Sequence, residues 1–218
     1  MKEIMLMPSM MCANFANLEK EIKDLEAAGV DSFHLDVMDG SFVPNFGMGL
    51  QDLEYICKTA TKLTDVHLMI QNPGKYIELF ANLGADIIHV HAESDQQLGR
   101  TLDLIKSKGV KASIAINPAT SIESIKPVLG IVDYIMFMTV NPGFAGQKYQ
   151  AYVDEKIKEL LAIKDQYNFE IMVDGAISPE RVKTLGNWGV KGFILGTSAL
   201  FGKDKSYAEI CKELRNLE

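Results

Sequence analysis

Short apolar runs alternate with longer amphipathic ones eight times along the chain, and this rhythm leaves few ways to fold. The runs Ile4–Met10, Ser32–Met38, Leu63–Met69, Asp86–His91, Lys111–Ile116, Tyr134–Met138, Glu170–Val173 and Gly192–Leu195 read as strands. Leu18–Ala28, Leu50–Thr59, Pro73–Leu83, Gln96–Lys108, Ser121–Val128, Tyr152–Gln166, Pro179–Trp188 and Tyr207–Leu217 read as helices, the first with Leu18, Ile22, Leu25 and Ala28 on one face. Three helix-to-strand joints share one form: Ala28-Gly29-Val30-Asp31, Leu83-Gly84-Ala85-Asp86 and Trp188-Gly189-Val190-Lys191. In each, glycine closes a helix and a small apolar residue enters the next strand, as short αβ loops require. With 218 residues, eight such units fill one domain and one core. The expectation is a single-domain α/β protein over residues 1–218, a closed parallel (β/α)8 barrel of the TIM type. An open doubly wound sheet is the alternative, without the Gly-rich first turn of a dinucleotide fold to favour it.

Chemistry in such a barrel gathers at the C-terminal ends of the strands. Those ends carry Ser9; His34, Asp36 and Met38; His67 and Met69; His89 and His91; Asn117; Met138 to Asn141; Asp174; and Gly196-Thr197-Ser198. All 4 histidines of the chain fall in this set. Along Ser32–Met38, alternation puts His34, Asp36 and Met38 on one face and Phe33, Leu35 and Val37 on the other. An imidazole and a carboxylate on a buried face are costly unless paired. His34, Asp36, His67 and Asp174, from three strands, suit a borderline divalent cation: Zn²⁺ first, with Fe²⁺, Co²⁺ or Mn²⁺ as alternatives. A buried ion-pair network among the same residues is the competing reading. His89 and His91 share a face of the fourth strand, either behind the ligands or as satisfied core.

Asp36 and Asp174 lie on strands two and seven and approach a central ligand from different sides. Paired carboxylates on opposite faces of one carbon are what a two-base proton exchange needs. A cation between them would polarise a neighbouring carbonyl. Met38, Met69 and Met138 would floor this site with adaptable apolar surface.

Charge limits the partners. With 22 Lys plus Arg against 29 Asp plus Glu, the net charge is -7, and no basic run could neutralise a nucleic-acid backbone. A small phosphate would have to be held by backbone amides. Three segments could supply them: Asn141-Pro142-Gly143-Phe144-Ala145-Gly146-Gln147 after strand six, Asp174-Gly175-Ala176 after strand seven, and Gly196-Thr197-Ser198 after strand eight. Simple tight turns are the bland alternative. The 3 cysteines, Cys12, Cys57 and Cys211, have no CxxC spacing and read as reduced thiols. No run approaches the ~18 apolar residues of a membrane span. Met1–Pro8 is too short an apolar run for a signal peptide, so a cytoplasmic location is expected.

Several blocks resemble one family. Pro8-Ser9-Met10-Met11, His34-Leu35-Asp36-Val37-Met38-Asp39-Gly40-Ser41-Phe42-Val43-Pro44-Asn45, Asp65-Val66-His67-Leu68-Met69, Asn141 to Gln147 and Val173-Asp174-Gly175 are similar, in order, to the signature blocks of the ribulose-phosphate 3-epimerase family. The resemblance implies a (β/α)8 barrel that epimerises C3 of a phosphorylated ketose through a metal-stabilised cis-enediolate. It carries metal ligation to His34, Asp36, His67 and Asp174, and acid-base work to Asp36 and Asp174. Substrate contact falls to Ser9, His67, Met38, Met69, Met138 and Asn141. Phosphate contact falls to Gly143, Phe144, Ala145, Gly146, Gly175, Ala176, Gly196, Thr197 and Ser198. A homo-oligomer is implied as well.

Three departures bear on substrate. Pentulose-phosphate members usually read Ser-Ala-Asp after the first strand, two glycines after the seventh-strand Asp, and Gly-Ser or Gly-Asn after the eighth strand. This chain has Cys12-Ala13-Asn14, Gly175-Ala176 and Gly196-Thr197-Ser198. Together with Met138-Thr139-Val140 and Leu200-Phe201, these look more like the branch acting on D-allulose 6-phosphate and D-fructose 6-phosphate. The expectation leans to that branch. The alternatives are the D-ribulose 5-phosphate/D-xylulose 5-phosphate enzyme and, in another class, a barrel that binds a sugar phosphate without turning it over.

Overall fold

Eight parallel strands form one sheet in a computed structural model that describes residues 4–217. Met1–Glu3, part of the segment read as carrying no export signal, and Glu218 lie outside the described residues. The strands are β1 (Met5–Pro8), β2 (Ser32–Met38), β3 (Leu63–Met69), β4 (Ile87–His91), β5 (Lys111–Ile116), β6 (Tyr134–Met138), β7 (Glu170–Asp174) and β8 (Gly192–Leu195). Each pairs with its sequence neighbour from β2 through β8, and β8 pairs with β1. Between β1 and β2 the ring closes through a single parallel bridge, Ser9 to His34. The rest of that seam is held around Asp31 and Arg215: Leu6 N–H donates to Asp31 Oδ2 at 2.7 Å, Asp31 N–H donates to Leu6 O at 3.0 Å, and Arg215 donates to both Asp31 Oδ2 and Ile4 O. The predicted barrel is present.

The helices α1 (Leu18–Ala27), α2 (Leu50–Thr59), α3 (Ile77–Leu83), α4 (Leu98–Ser107), α5 (Val153–Tyr167), α6 (Pro179–Trp188) and α7 (Tyr207–Arg215) pack outside the sheet. One expected helix is absent. Ser121–Val128 folds as two 3₁₀ turns, Ile122–Ser124 and Lys126–Val128. Pro127 lacks an amide hydrogen and disfavours a helical residue before it, so an α-helix cannot propagate there. Pro73–Lys75 is likewise a 3₁₀ turn that precedes α3, and the first strand ends at Pro8, with Met10–Cys12 turning over the barrel mouth.

Alternation along each strand builds two cores. Outward-facing Leu6, Phe33, Leu35, Leu68, Phe137 and Phe193 meet the helices. Inward, Met7, Ile87, Ala115, Met136, Met138, Met172 and Ile194 fill the barrel. Gly192 belongs to this interior because a Cβ there would come within 2.7 Å of Met172 Cγ. Above the methionine layer, the inward positions of β2, β3 and β4 turn polar, and the functional site begins.

Candidate active site

Register brings the polar residues side by side. Parallel pairing sets His34 against Asp65, Asp36 against His67, and His67 against His89. His34, His67, His89, His91 and Asp65 are wholly buried and Asp36 nearly so. Asp174 ends β7 and comes in from across the barrel, its side chain 16% exposed.

His34, Asp36, His67 and Asp174 each offer a ligand atom within 4.8 Å of all the others. His34 Nε2 lies 3.4 Å from Asp36 Oδ1 and 4.0 Å from Asp174 Oδ2. His67 Nδ1 lies 3.3 Å and 3.7 Å from the same carboxylates. His34 Nε2 is buried without a hydrogen-bond partner and is aimed at this centre. An orphaned imidazole nitrogen among two carboxylates and a second imidazole fits a divalent ion.

The charges make the same demand. Burial disfavours a charged His34, but Asp65 and Asp36 overcome it and raise its pKa well above the ordinary imidazole range. Burial acts against ionised Asp36, yet the charge and hydrogen bond of His34, with His67, hold it well below the usual carboxylate range. For Asp174, burial dominates and pushes the pKa up to about 7, with the Asp36 and Asp65 charges adding to it. Desolvation likewise takes His67 down to about 3. The centre is short of positive charge, and a bound cation would supply it.

Three of the four side chains are held from behind. Ser9 Oγ donates to Asp36 Oδ2 at 2.7 Å. His34 Nδ1 pairs with Asp65 Oδ1, and Asp65 also meets His89 Nε2 at 3.1 Å and Ser32 Oγ at 2.5 Å. His89 Nδ1 meets Ser113 Oγ at 2.7 Å. His34, Asp65 and His89 also sit close enough to suggest a second ion, but these hydrogen bonds already satisfy them. His67 Nε2 faces His91 Nε2 at 2.8 Å, and His91 Nδ1 faces Glu93 Oε2 at 3.3 Å. Asp65 and Glu93 were not anticipated as site residues. For Asp65 there was a signal, since it lies two residues before His67 and alternation puts both on one face of β3; Glu93 lies beyond the end of β4, where alternation no longer applies. Thr139 was missed too: its hydroxyl donates to Asp174 O at 3.0 Å and to Gly175 O, tying β6 to the end of β7.

Above the cluster opens a cleft of about 580 Å³, part of it open solvent. Asp36 and Asp174 reach it, with Ser9, Met38, Met69 and Met138 at its base. Gly143, Phe144, Ala145, Gly146, Gly175, Ala176, Gly196, Thr197 and Ser198 all line it, with Gln147 of the same loop and the unanticipated Met11 and Cys12. His34 and His67 lie beneath it instead. Asn141 does not line it; its carbonyl accepts from Gln147 Nε2 at 2.6 Å, which closes the loop on itself. No lysine, arginine or histidine lines the cavity among the described residues. The departure at Ala176 has a backbone consequence: its φ is +51°, following Gly175 at +111°. Alanine in that left-handed region costs about 1 kcal/mol.

The comparisons with known proteins bear on this geometry. The Ribulose-phosphate 3 epimerase family matches residues 5–201. The chain belongs to that family. A ribulose-phosphate 3-epimerase of Bacillus subtilis (strain 168) is 42% identical over 213 residues, covering 95% of this chain and 98% of the relative. The chloroplastic ribulose-5-phosphate-3-epimerase of Arabidopsis thaliana is 39% identical, covering 98% of this chain and 76% of its own length. Among solved structures, 3-hexulose-6-phosphate synthase from Salmonella typhimurium superposes with a TM-score of 0.73 over 98% of each chain at 17% identity, a likeness of fold. Membership makes the chain a carbohydrate-phosphate epimerase, which removes the non-catalytic barrel from contention. No helix among the described residues is long and apolar enough to cross a membrane.

Proposed function

We propose that this epimerase interconverts D-ribulose 5-phosphate and D-xylulose 5-phosphate, with Asp36 and Asp174 exchanging the C3 proton from opposite sides. The observation that carries this is the meeting of the β2 and β7 carboxylates with two imidazoles, all within 4.8 Å, at the base of the cavity. His34, Asp36, His67 and Asp174 would hold a divalent ion there, Zn²⁺ first. Such an ion supplies Lewis-acid polarisation of the carbonyl beside C3.

The chain's own groups do the rest. Asp36 is ionised, while Asp174 titrates near neutrality because burial raises its pKa to about 7. A two-base exchange starts with one acid charged and its opposite number protonated, and these environments push the two apart in that sense. Ser9 holds the Asp36 oxygen that does not face the imidazoles. Met38, Met69 and Met138 keep water from beneath the reacting carbon. With no cationic side chain in the wall, the phosphate is bound by amides of the loops after β6, β7 and β8. At Gly196 the chain turns so that its carbonyl accepts from the N–H groups of Leu200 and Phe201, leaving the start of the turn open to an anion.

Relatives named ribulose-phosphate 3-epimerase at about 40% identity over most of the chain favour the pentulose substrate over the hexulose expected from the sequence. The D-allulose 6-phosphate reading keeps as support the departures in the cavity wall: Cys12, Ala176 in place of a second glycine, and Gly196-Thr197-Ser198. One carbon is a small difference for a pocket, so the substrates are ranked by kcat/KM on the Zn²⁺-, Mn²⁺- and Co²⁺-loaded protein. A higher value for D-ribulose 5-phosphate is expected. A higher value for D-allulose 6-phosphate would reverse the assignment.

A further inference from the structure

We propose that Glu93 is a positioning residue that decides, through His91, which nitrogen of His67 carries the proton, and so keeps His67 Nδ1 free for a divalent ion. The inference rests on the reading of His67 as a ligand. His67 Nε2 and His91 Nε2 face each other at 2.8 Å, so one must donate and the other accept. At the near end, Asp36 Oδ1 lies 3.3 Å from His67 Nδ1 and favours a proton there until a cation takes its charge; with the cation bound, the direction is set at the far end. His91 Nδ1 meets Glu93 Oε2 at 3.3 Å, and an ionised carboxylate only accepts. The His91 proton therefore sits on Nδ1, leaving a lone pair on Nε2. His67 must donate from its own Nε2, and a neutral imidazole protonated there has its lone pair on Nδ1. That is the nitrogen lying 3.3 Å from Asp36 Oδ1 and 3.7 Å from Asp174 Oδ2.

Glu93 is held for this task. Its Oε1 accepts from Asn117 N–H at 2.8 Å and from the Thr120 hydroxyl, so its other oxygen is the one left for His91. The same two donors orient a Glu93→Gln side chain. Its carbonyl oxygen stays on Asn117 and Thr120, and its NH₂ turns toward His91 Nδ1. An NH₂ there donates, which moves the His91 proton to Nε2, reverses the bond to His67 and forces the His67 proton onto Nδ1. The ligating nitrogen is then blocked. His34 needs no intermediate ring, since its Nδ1 meets the Asp65 carboxylate directly and Nε2 is left for the ion. Glu93 achieves the same result one imidazole further away, from the loop after β4.

Co²⁺ titrations of the purified wild type, Glu93→Gln, His91→Phe and the double variant, read by visible absorption, test this. Glu93→Gln is expected to weaken Co²⁺ binding about 10- to 100-fold, the usual loss for an outer partner of a ligating histidine, while leaving the thermal midpoint of the metal-free protein nearly unchanged. In the His91→Phe background the same substitution adds no further loss. ¹⁵N shifts of histidine in the zinc-saturated wild type place the His91 proton on Nδ1, a readout that a merely structural Glu93 would not determine. Equal Co²⁺ affinity in wild type and Glu93→Gln, an undiminished loss in the His91→Phe background, or a His91 proton on Nε2 would each overturn the inference and leave the metal reading standing. A wild type that takes up no Co²⁺ would remove both.

Discussion

On the β2–β4 side of the barrel mouth, His34, Asp36, Asp65, His67, His89 and His91 are buried side chains that hydrogen bond to one another. On the β6–β8 side, the wall is made of loop backbone: Gly143, Gly146 and Gly175 all have positive φ, and Phe144, Ala145 and Gly146 are exposed. The first side concentrates charge where water is excluded, which strengthens each interaction and makes each unpaired group costly. Apart from the Asp174 carboxylate at the end of β7, the second offers peptide dipoles, suited to an anion that must arrive and leave hydrated. In the proposed reaction the first wall and Asp174 would do the chemistry, and the loops of the second would grip the anion.

Substitutions on the two walls should therefore fail differently. Asp36→Asn, on the charged side, is expected to lower kcat about a thousandfold, within the range for losing a positioned acid-base group, while inorganic phosphate still binds by calorimetry. Loss of phosphate binding together with turnover would merge the two walls into one. Next in size is the pH dependence of Zn²⁺ affinity. A proton held by a folded carboxyl competes with the ion below its pKa and not above it, so with Asp174 near 7, affinity should climb about tenfold per pH unit from 5 to 7. A flat profile would contradict the charge assignment.

On the backbone side, Gly175→Ala would set a Cβ 2.5 Å from Val140 Cγ2 in a left-handed conformation. It should destabilise the fold by about 2–4 kcal/mol and raise KM, with Co²⁺ affinity in the folded fraction little changed. The smallest effect belongs to Ala176→Gly. Relief of the φ of +51° is nearly balanced by the added freedom of glycine in the unfolded chain, so stability should move by no more than about 1 kcal/mol, on the stabilising side. A clear loss of stability would mean that Ala176 makes contacts beyond its backbone.

The charged wall was the more legible of the two in the sequence. Alternation around His34, Asp36 and His67 assigns each side chain to a face before any contact is known, because a strand has only two faces. The partners behind them were not legible. Asp65 reaches His34 only once strand register is fixed, and no local pattern states register in a parallel sheet; Glu93 reaches His91 from two residues away only because the chain turns after β4. Pro127, by contrast, was a plain signal against a helix at Ser121–Val128 that the surrounding periodicity masked. The loop wall was legible by composition but not in detail. Glycines mark where backbone is exposed, yet Asn141 turned out to brace its own loop rather than face the cavity.

The direct test of the paired carboxylates is solvent isotope exchange at C3 of D-ribulose 5-phosphate in D₂O, followed by proton NMR. The metal-loaded wild type should deliver D-xylulose 5-phosphate deuterated at C3, and Asp174→Asn should incorporate none while still binding inorganic phosphate. Continued exchange and inversion by Asp174→Asn at the wild-type rate would contradict the assignment of the β7 acid to the reaction.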